Sequence, residues 1–170
     1  MKKIIFILFL FLINQNLNAE IPHYLDFKLI LNESKAGKKA QDQLKSKLNK
    51  GINKIKEKEK SLQEEERKII DQKKILKSEE YKDKVKKLRV KVSNLQKERS
   101  NLLEDVAKKR NKARNELLKN LNPIIKSYMA EKNIRMVLDK KSLLLADEKL
   151  NITKDILNLL NQKLQSIKLD

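Results

Sequence analysis

From Ser34 to Leu121 apolar residues return at intervals of three and four, with no proline and with Gly37 and Gly51 as the only glycines. That is the period of helices burying one face. In the outgoing half Leu48, Ile55, Leu62, Ile69 and Leu76 recur every seven residues, while the companion positions three residues on are Gly51, Lys58, Glu65, Gln72 and Glu79. Half of this heptad seam is therefore polar or empty. The returning half is richer: Val85, Leu88, Val92, Leu95, Leu102, Val106, Ala113 and Leu117 keep close to a three-four alternation. A reversal within 77–81 (KSEEY) separates the halves, with Ser78 as the N-cap of the second helix and Glu79 and Glu80 at its positive dipole end. Each arm is then about 63 Å long at 1.5 Å per residue. One unbroken helix over the same span stays open, since only Ser78 interrupts it. The hairpin is favoured because it returns the flanking segments to one place.

Those flanking segments predict a small body. Ile21 to Phe27 reads as a short strand, with Pro22 at its start, and Lys28 to Leu31 as one helical turn before Ser34 caps the first long helix. Asn122 and Pro123 mark a boundary, with Pro123 in the first turn of a new helix that ends near Asn133. Ile134 to Asp139 and Ser142 to Ala146 read as two strands joined by a tight turn through Asp139, Lys140 and Lys141. Ile152, Ile156, Leu159, Leu160 and Leu164 trace a closing helix capped by Asn151 or Thr153. The fold class is α+β and mostly α: a β-containing body from residues 20–33 and 122–170, and a helical hairpin, residues 34–121, inserted after the first strand.

The first nineteen residues change the setting of this object. Lys2 and Lys3 precede ten apolar residues, Ile4 to Ile13, and a polar stretch closes at Ala19. This is the pattern of a signal peptide, residues 1–19, and ten residues are too few to span a bilayer as a helix. An exported chain is expected, and it lacks cysteine, so neither a disulfide framework nor a thiolate metal site exists. A body this small with a thin arm points to oligomerisation. Charge is concentrated in the arm: the formal net charge is +18, and from Lys35 to Lys119 there are 29 Lys or Arg against 14 Asp or Glu. Such a field attracts acidic partners.

Catalysis finds little support in these residues. The single histidine, His23, lies beside Pro22 in the first strand, and Asp139 and Asp147 sit at turns without a converging second acid. Two glycines cannot form a phosphate-cradling loop, and no cofactor is expected. The lysines read as a solvated face, as a nucleic-acid surface or as a grip on acidic, unfolded polypeptide. Nucleic acid is disfavoured because Tyr24, Phe27, Tyr81 and Tyr128, the aromatics after the leader, are scattered and the leader removes the chain from the cytoplasm. Around the reversal Lys73, Lys74, Lys77, Lys82, Lys84, Lys86 and Lys87 form a basic tip suited to anionic lipid or lipopolysaccharide.

Two segments resemble a known family. Ser34, Ala36, Gly37, Lys38, Lys39 and Ala40, following the strand-like LDF of Leu25 to Phe27, are similar to the opening of the Skp (OmpH-like) periplasmic chaperones. Glu131, Lys132, Val137, Leu138, Asp139, Ala146, Asp147, Ile152 and Thr153 resemble the closing pattern of the same family, with Asn133 in place of a turn glycine. Pro22 and His23 depart from its apolar first strand. The resemblance implies a homotrimer whose strands close a β-barrel, with Leu25, Phe27, Val137, Leu138, Leu143 and Leu145 in the trimer body. It also implies a non-enzymatic, ATP-independent holdase of the periplasm for unfolded outer-membrane proteins. Leu102, Leu103 and Val106 are the apolar residues assigned to the client cavity between basic arms. The competing reading is a structural or tethering coiled coil of the envelope that captures no client.

Overall fold

The computed structural model describes residues 21–169; the leader and its cleavage site lie outside the described residues. Two short strands and four α-helices follow one another: β1 (His23–Leu25), α1 (Phe27–Glu33), α2 (Lys35–Asp71), α3 (Ser78–Glu131), β2 (Val137–Asp139) and α4 (Thr153–Lys163). The protein is mostly helical, with long helices and a small strand pair.

Local chemistry sets each boundary at the base. Asp26 ends β1 and caps α1, its carboxylate accepting from the Leu29 N–H at 2.8 Å. Phe27, expected in the strand, is therefore the first residue of a helix. Ser34 lies fully buried between α1 and α2, where its Oγ accepts from the Gly37 N–H at 3.1 Å. The Asn161 side chain supplies a second cap, accepting from the Lys35 N–H at 2.7 Å. Together these satisfy two of the four unpaired donors that begin any helix. Gly37 is required by space: a Cβ there would fall on the Leu31 carbonyl oxygen and 2.8 Å from Ser34 Oγ.

The reversal comes earlier than the sequence pattern suggests. A 3₁₀ turn over Gln72–Lys74 ends the outgoing helix, and α3 starts at Ser78 with Lys77 as a cap that makes no side-chain bond. Ser78 is thus the first helical residue and not the cap, while Glu79 and Glu80 do occupy the first turn.

A larger departure concerns Pro123. No boundary exists there: α3 runs unbroken for 54 residues with Pro123 inside it. Proline removes the bond to the carbonyl four residues back and costs about 3 kcal/mol in a helix interior. Leu121 (0% exposed) and Ile124 (2%) flank it on the buried face, and burying one such side chain contributes roughly 1.5–3 kcal/mol. Tertiary burial outweighs the local preference. The helix ends as expected at Asn133, whose φ of 53° is left-handed, and the Ile134 N–H closes the turn on the Met129 carbonyl at 2.8 Å.

β1 pairs with β2 in parallel, His23 with Val137, Tyr24 with Leu138 and Leu25 with Asp139. On its other edge Tyr24 bridges Asn151, and its carbonyl accepts from Ile152 N–H at 2.9 Å. The second strand expected at Ser142 to Ala146 is not formed. Asp139 accepts from the Lys141 N–H at 3.2 Å and starts a 3₁₀ turn, Lys140–Ser142, which carries the chain off the sheet. Both edges of β1 are already taken, and Leu144 and Leu145 emerge fully and 92% exposed respectively. Ile30, Leu121, Ile156 and Leu160 are completely buried at the centre of a core that gathers α1, the base of α2, the end of α3, α4 and the C-terminal residues Ile167 and Leu169.

Candidate functional site: a basic two-helix arm

Beyond the body α2 and α3 continue side by side. Rising numbers in α2 meet falling numbers in α3: Lys47 pairs with Asp105 at 2.5 Å, Lys58 with Glu98 at 2.5 Å, and Glu65 with Lys91 at 2.7 Å. The polar companion positions of the heptad have a regular use. Gly51 receives the Leu102 side chain, Lys58 and Glu65 form those ion pairs, and Gln72 accepts from Lys84 Nζ at 2.7 Å. Between them Ile55, Ile69, Leu88 and Leu95 are buried, whereas Val92 is 42% exposed and has left the seam.

The residues assigned to client contact separate. Val106 is buried in the core, Leu102 packs on Gly51, and Leu103 is 54% exposed. Leu103 alone of the three faces solvent. It has company that the heptad reading missed: Ile52, Ile70, Ile75 and Val90 are exposed apolar residues on the same arm. Their positions off the seven-residue seam were the available signal. Of the assigned body residues, Leu25 is buried in the protomer's own core. Phe27, Val137, Leu138 and Leu143 are half-buried, and Leu145 points into solvent.

At the tip Lys73, Lys74, Lys77, Lys82, Lys86 and Lys87 are exposed and Lys84 is half-buried. The cluster is partly neutralised, because Lys82 pairs with Glu79 at 3.1 Å and Lys87 with Asp83 at 2.7 Å. The hydrogen bond to Asp83, then its charge, holds the Lys87 ammonium above its ordinary pKa. Near the root of the arm the bond from Lys47 holds the Asp105 carboxyl below the usual carboxylate range.

The body's titratable groups are structural. Asp139 and Asp147 each accept a backbone N–H two residues on, from Lys141 and Lys149. Tyr128 donates to Asp155 Oδ2 at 2.6 Å, and this bond, with burial, pushes its phenol up to about 12. Burial, then the charge of Glu148, raises the Tyr24 phenol. His23 Nδ1 is buried without a hydrogen-bond partner among the described residues. Among those residues no three His, Cys, Asp or Glu side chains approach closely enough to hold a metal, and no helix is long and apolar enough to cross a membrane.

This arrangement, a basic two-helix arm rising from a small sheet, has relatives. The family model described as outer membrane protein (OmpH-like) matches residues 23–160. The chain belongs to the OmpH-like family. A crystallised OmpH-like protein of Caulobacter crescentus CB15, named as a candidate outer membrane chaperone, superposes with a TM-score of 0.82. It is 17% identical, and the match covers 88% of this chain and 90% of that one, so the OmpH-like fold is shared along nearly the full length. No curated protein matches the sequence. The Skp-like motif residues now have physical roles: Ser34 caps, Gly37 admits the Leu31 carbonyl, Asn133 turns, and Thr153 Oγ1 accepts from the Asp26 N–H at 2.8 Å.

Proposed function

We propose that this OmpH-like chain is a non-enzymatic, ATP-independent periplasmic holdase, exported by residues 1–19, that captures unfolded outer-membrane proteins between basic arms of a homotrimer. The observation that carries this reading is an arm whose excess positive charge shares its surface with solvent-facing apolar residues, Ile52, Ile70, Val90 and Leu103. Lysines attract an acidic unfolded chain at long range, and scattered apolar residues give it many weak contacts. No residue is placed for bond-making chemistry in this scheme.

Assembly rests on a second feature. Leu144 and Leu145 stand exposed beside β2, on a segment that leaves the protomer's sheet incomplete. Strands 142–146 from three chains closing a shared barrel would cover these leucines and remove the open edges. The helix pair reads as an antiparallel coiled-coil hairpin projecting from that barrel.

The test is dilution of a urea-unfolded outer-membrane β-barrel protein into buffer with or without the mature chain, followed by light scattering and native mass measurement. Suppressed scattering and a complex of three chains with one client are expected, weakening from low to high salt. A tethering coiled coil would leave the client to precipitate, and binding that ignores salt would remove the electrostatic part of the proposal. The basic tip extends the reading to anionic lipid or lipopolysaccharide. Replacing Lys73, Lys74, Lys77 and Lys86 with Gln should release the protein from anionic liposomes, and undiminished binding would end that extension.

A further inference from the structure

The two flanks of the arm are different surfaces. In a helix the residues three and four positions beyond a seam residue lie on opposite sides of it. Ile55 is followed in this way by Lys58 and Glu59, and Leu95 by Glu98 and Arg99. Lys58 pairs with Glu98 at 2.5 Å and Glu59 with Arg99 at 2.5 Å, so one ion pair lies on each flank of the buried seam. On the first flank the seven-residue recurrence builds a ladder of polar rungs: Glu65 meets Lys91 and Gln72 meets Lys84, each at 2.7 Å, and Lys47 meets Asp105 nearer the root. Ser61 and Asn94 line the groove between them.

Among the described residues Glu59–Arg99 is the one ion pair between α2 and α3 on the second flank. Its heptad neighbours are apolar and open. Ile52 lies seven residues before Glu59 and Val92 seven before Arg99, while Leu103 lies one turn beyond Arg99, and all three are exposed. Ile52 and Leu103 are level, because Gly51 and Leu102, the residues before them, pack together. Ile70, one turn beyond Glu66 of the Ile52 row, continues the exposed apolar positions toward the tip. Val90 is the exception, lining the tip groove on the ladder flank. Lys56 and Arg89, each one turn from Ile52 or Val92, have no ion-pair partner among the described residues, and Glu66 is the one acid of these rows outside a pair.

We propose that the flank carrying Ile52, Val92 and Leu103 is the surface that holds an unfolded client, and that the ladder flank takes no part in holding it. The proposal rests on the holdase reading and adds to it a side, a spacing and a class of segment. Covering the ladder would strip water from polar pairs already satisfied within the chain, whereas covering the exposed aliphatics removes apolar surface from water. Along α3 Val92 and Leu103 are about 16 Å apart at 1.5 Å per residue, a distance that an extended polypeptide crosses in about five residues. Lys56 and Arg89 attract counter-charge from outside the arm. The occupant these features fit is an extended segment with apolar side chains about five residues apart and carboxylates between them.

The test is photocrosslinking to a urea-unfolded outer-membrane β-barrel protein diluted into buffer, with benzoylphenylalanine in the full mature chain at position 52, 92 or 103, or at 61 or 94 on the ladder flank. Client crosslinks from 52, 92 and 103 should exceed those from 61 and 94 by at least about fivefold. Ile52→Gln/Val92→Gln/Leu103→Gln should raise the protein concentration that halves client scattering by at least about threefold, and Ser61→Ala/Asn94→Ala should leave it unchanged. All five side chains are exposed, so both variants should keep the wild-type circular dichroism. Should the triple variant misfold, the crosslinks decide. Equal yields from the two flanks, higher yields from the ladder, undiminished capture by a folded triple variant, or crosslinks from 52, 92 and 103 to a second copy of the chain in place of the client would overturn the proposal. Those outcomes arise with scattering still suppressed and leave the holdase reading standing, whereas unsuppressed scattering with the wild-type chain removes that reading and this proposal with it.

Discussion

The two ends of the arm are made of the same pair of helices and are held together differently. Near the body Ala40, Leu44, Val106, Ala113 and Leu117 belong to one continuous core with Ile30, Ile156 and Leu160. Beyond Gly51 buried residues such as Ile55, Ile69, Leu88 and Leu95 stand outside that core, and polar contacts through Lys58, Glu65 and Gln72 alternate with them. A fully buried aliphatic side chain contributes roughly 1.5–3 kcal/mol, an exposed ion pair about 0–1 kcal/mol. The outer arm therefore has the lower stability per turn, and its opening does not require the body to unfold. One helix pair serves as a rigid root and as a compliant reach.

The sharpest break in this comparison comes from core truncation. Ile156→Ala should lower global stability by about 2–5 kcal/mol in denaturant titration, because the cavity lies where every element meets. Leu95→Ala, at a buried outer site, should cost distinctly less globally. Its effect should show in hydrogen exchange confined to the outer segments of α2 and α3, and accelerated exchange throughout the body would refute the division.

The two glycines give the next contrast. Gly37→Ala places a methyl on the Leu31 carbonyl, a backbone atom that cannot move without shifting α1, and should destabilise by about 1–3 kcal/mol. Gly51→Ala meets only the end of the Leu102 side chain, and up to about 1 kcal/mol of helix propensity offsets the crowding. Melting temperatures that fall equally would show that Leu102 is as fixed as the body.

pH should act on two sites, one in the body and one at the root of the arm, from opposite directions. Tyr128, in the body, has a phenol raised to about 12 by Asp155. A raised folded pKa means stability fully present below the unfolded value near 10 and lost as pH rises toward 12. Tyr128→Phe should abolish that alkaline loss. Asp105, in the arm, is depressed by Lys47, so its contribution is present above the unfolded value near 4 and lost as pH falls further. Acid titration of Asp105→Asn should lack this component. Smallest of all, Lys58→Ala should change global stability by no more than about 1 kcal/mol, since both members of its ion pair are half-exposed.

Much of this arrangement was legible because side-chain period reports burial. Ile55 and Ile69 were found by their sevenfold recurrence, and Asn133 by the one conformation asparagine tolerates better than most residues. Pro123 misled because its cost is local while Leu121 and Ile124 belong to a core shared with Ile30, Ile156 and Leu160, distant in sequence. Ser142 to Ala146 has strand chemistry, yet the Asp139-capped 3₁₀ turn carries it away from β2, whose outer edge stays open within the described residues. At the arm, period identified the inner residues well and thereby directed attention to Val106, which is buried, instead of Ile52 or Val90, which lie off-period and outside.

The passage of α3 through Pro123 makes the arm a lever. About 12 Å of that helix, residues 124–131, lies beyond the proline within the body, and about 67 Å extends from it to the tip. Turning the short end by about 5° sweeps the tip through roughly 6 Å, a fivefold gain in displacement with a matching loss of force. A force at the tip thus has mechanical advantage over the base, and subtle repacking around Leu121 and Ile124 is enough to displace the tip.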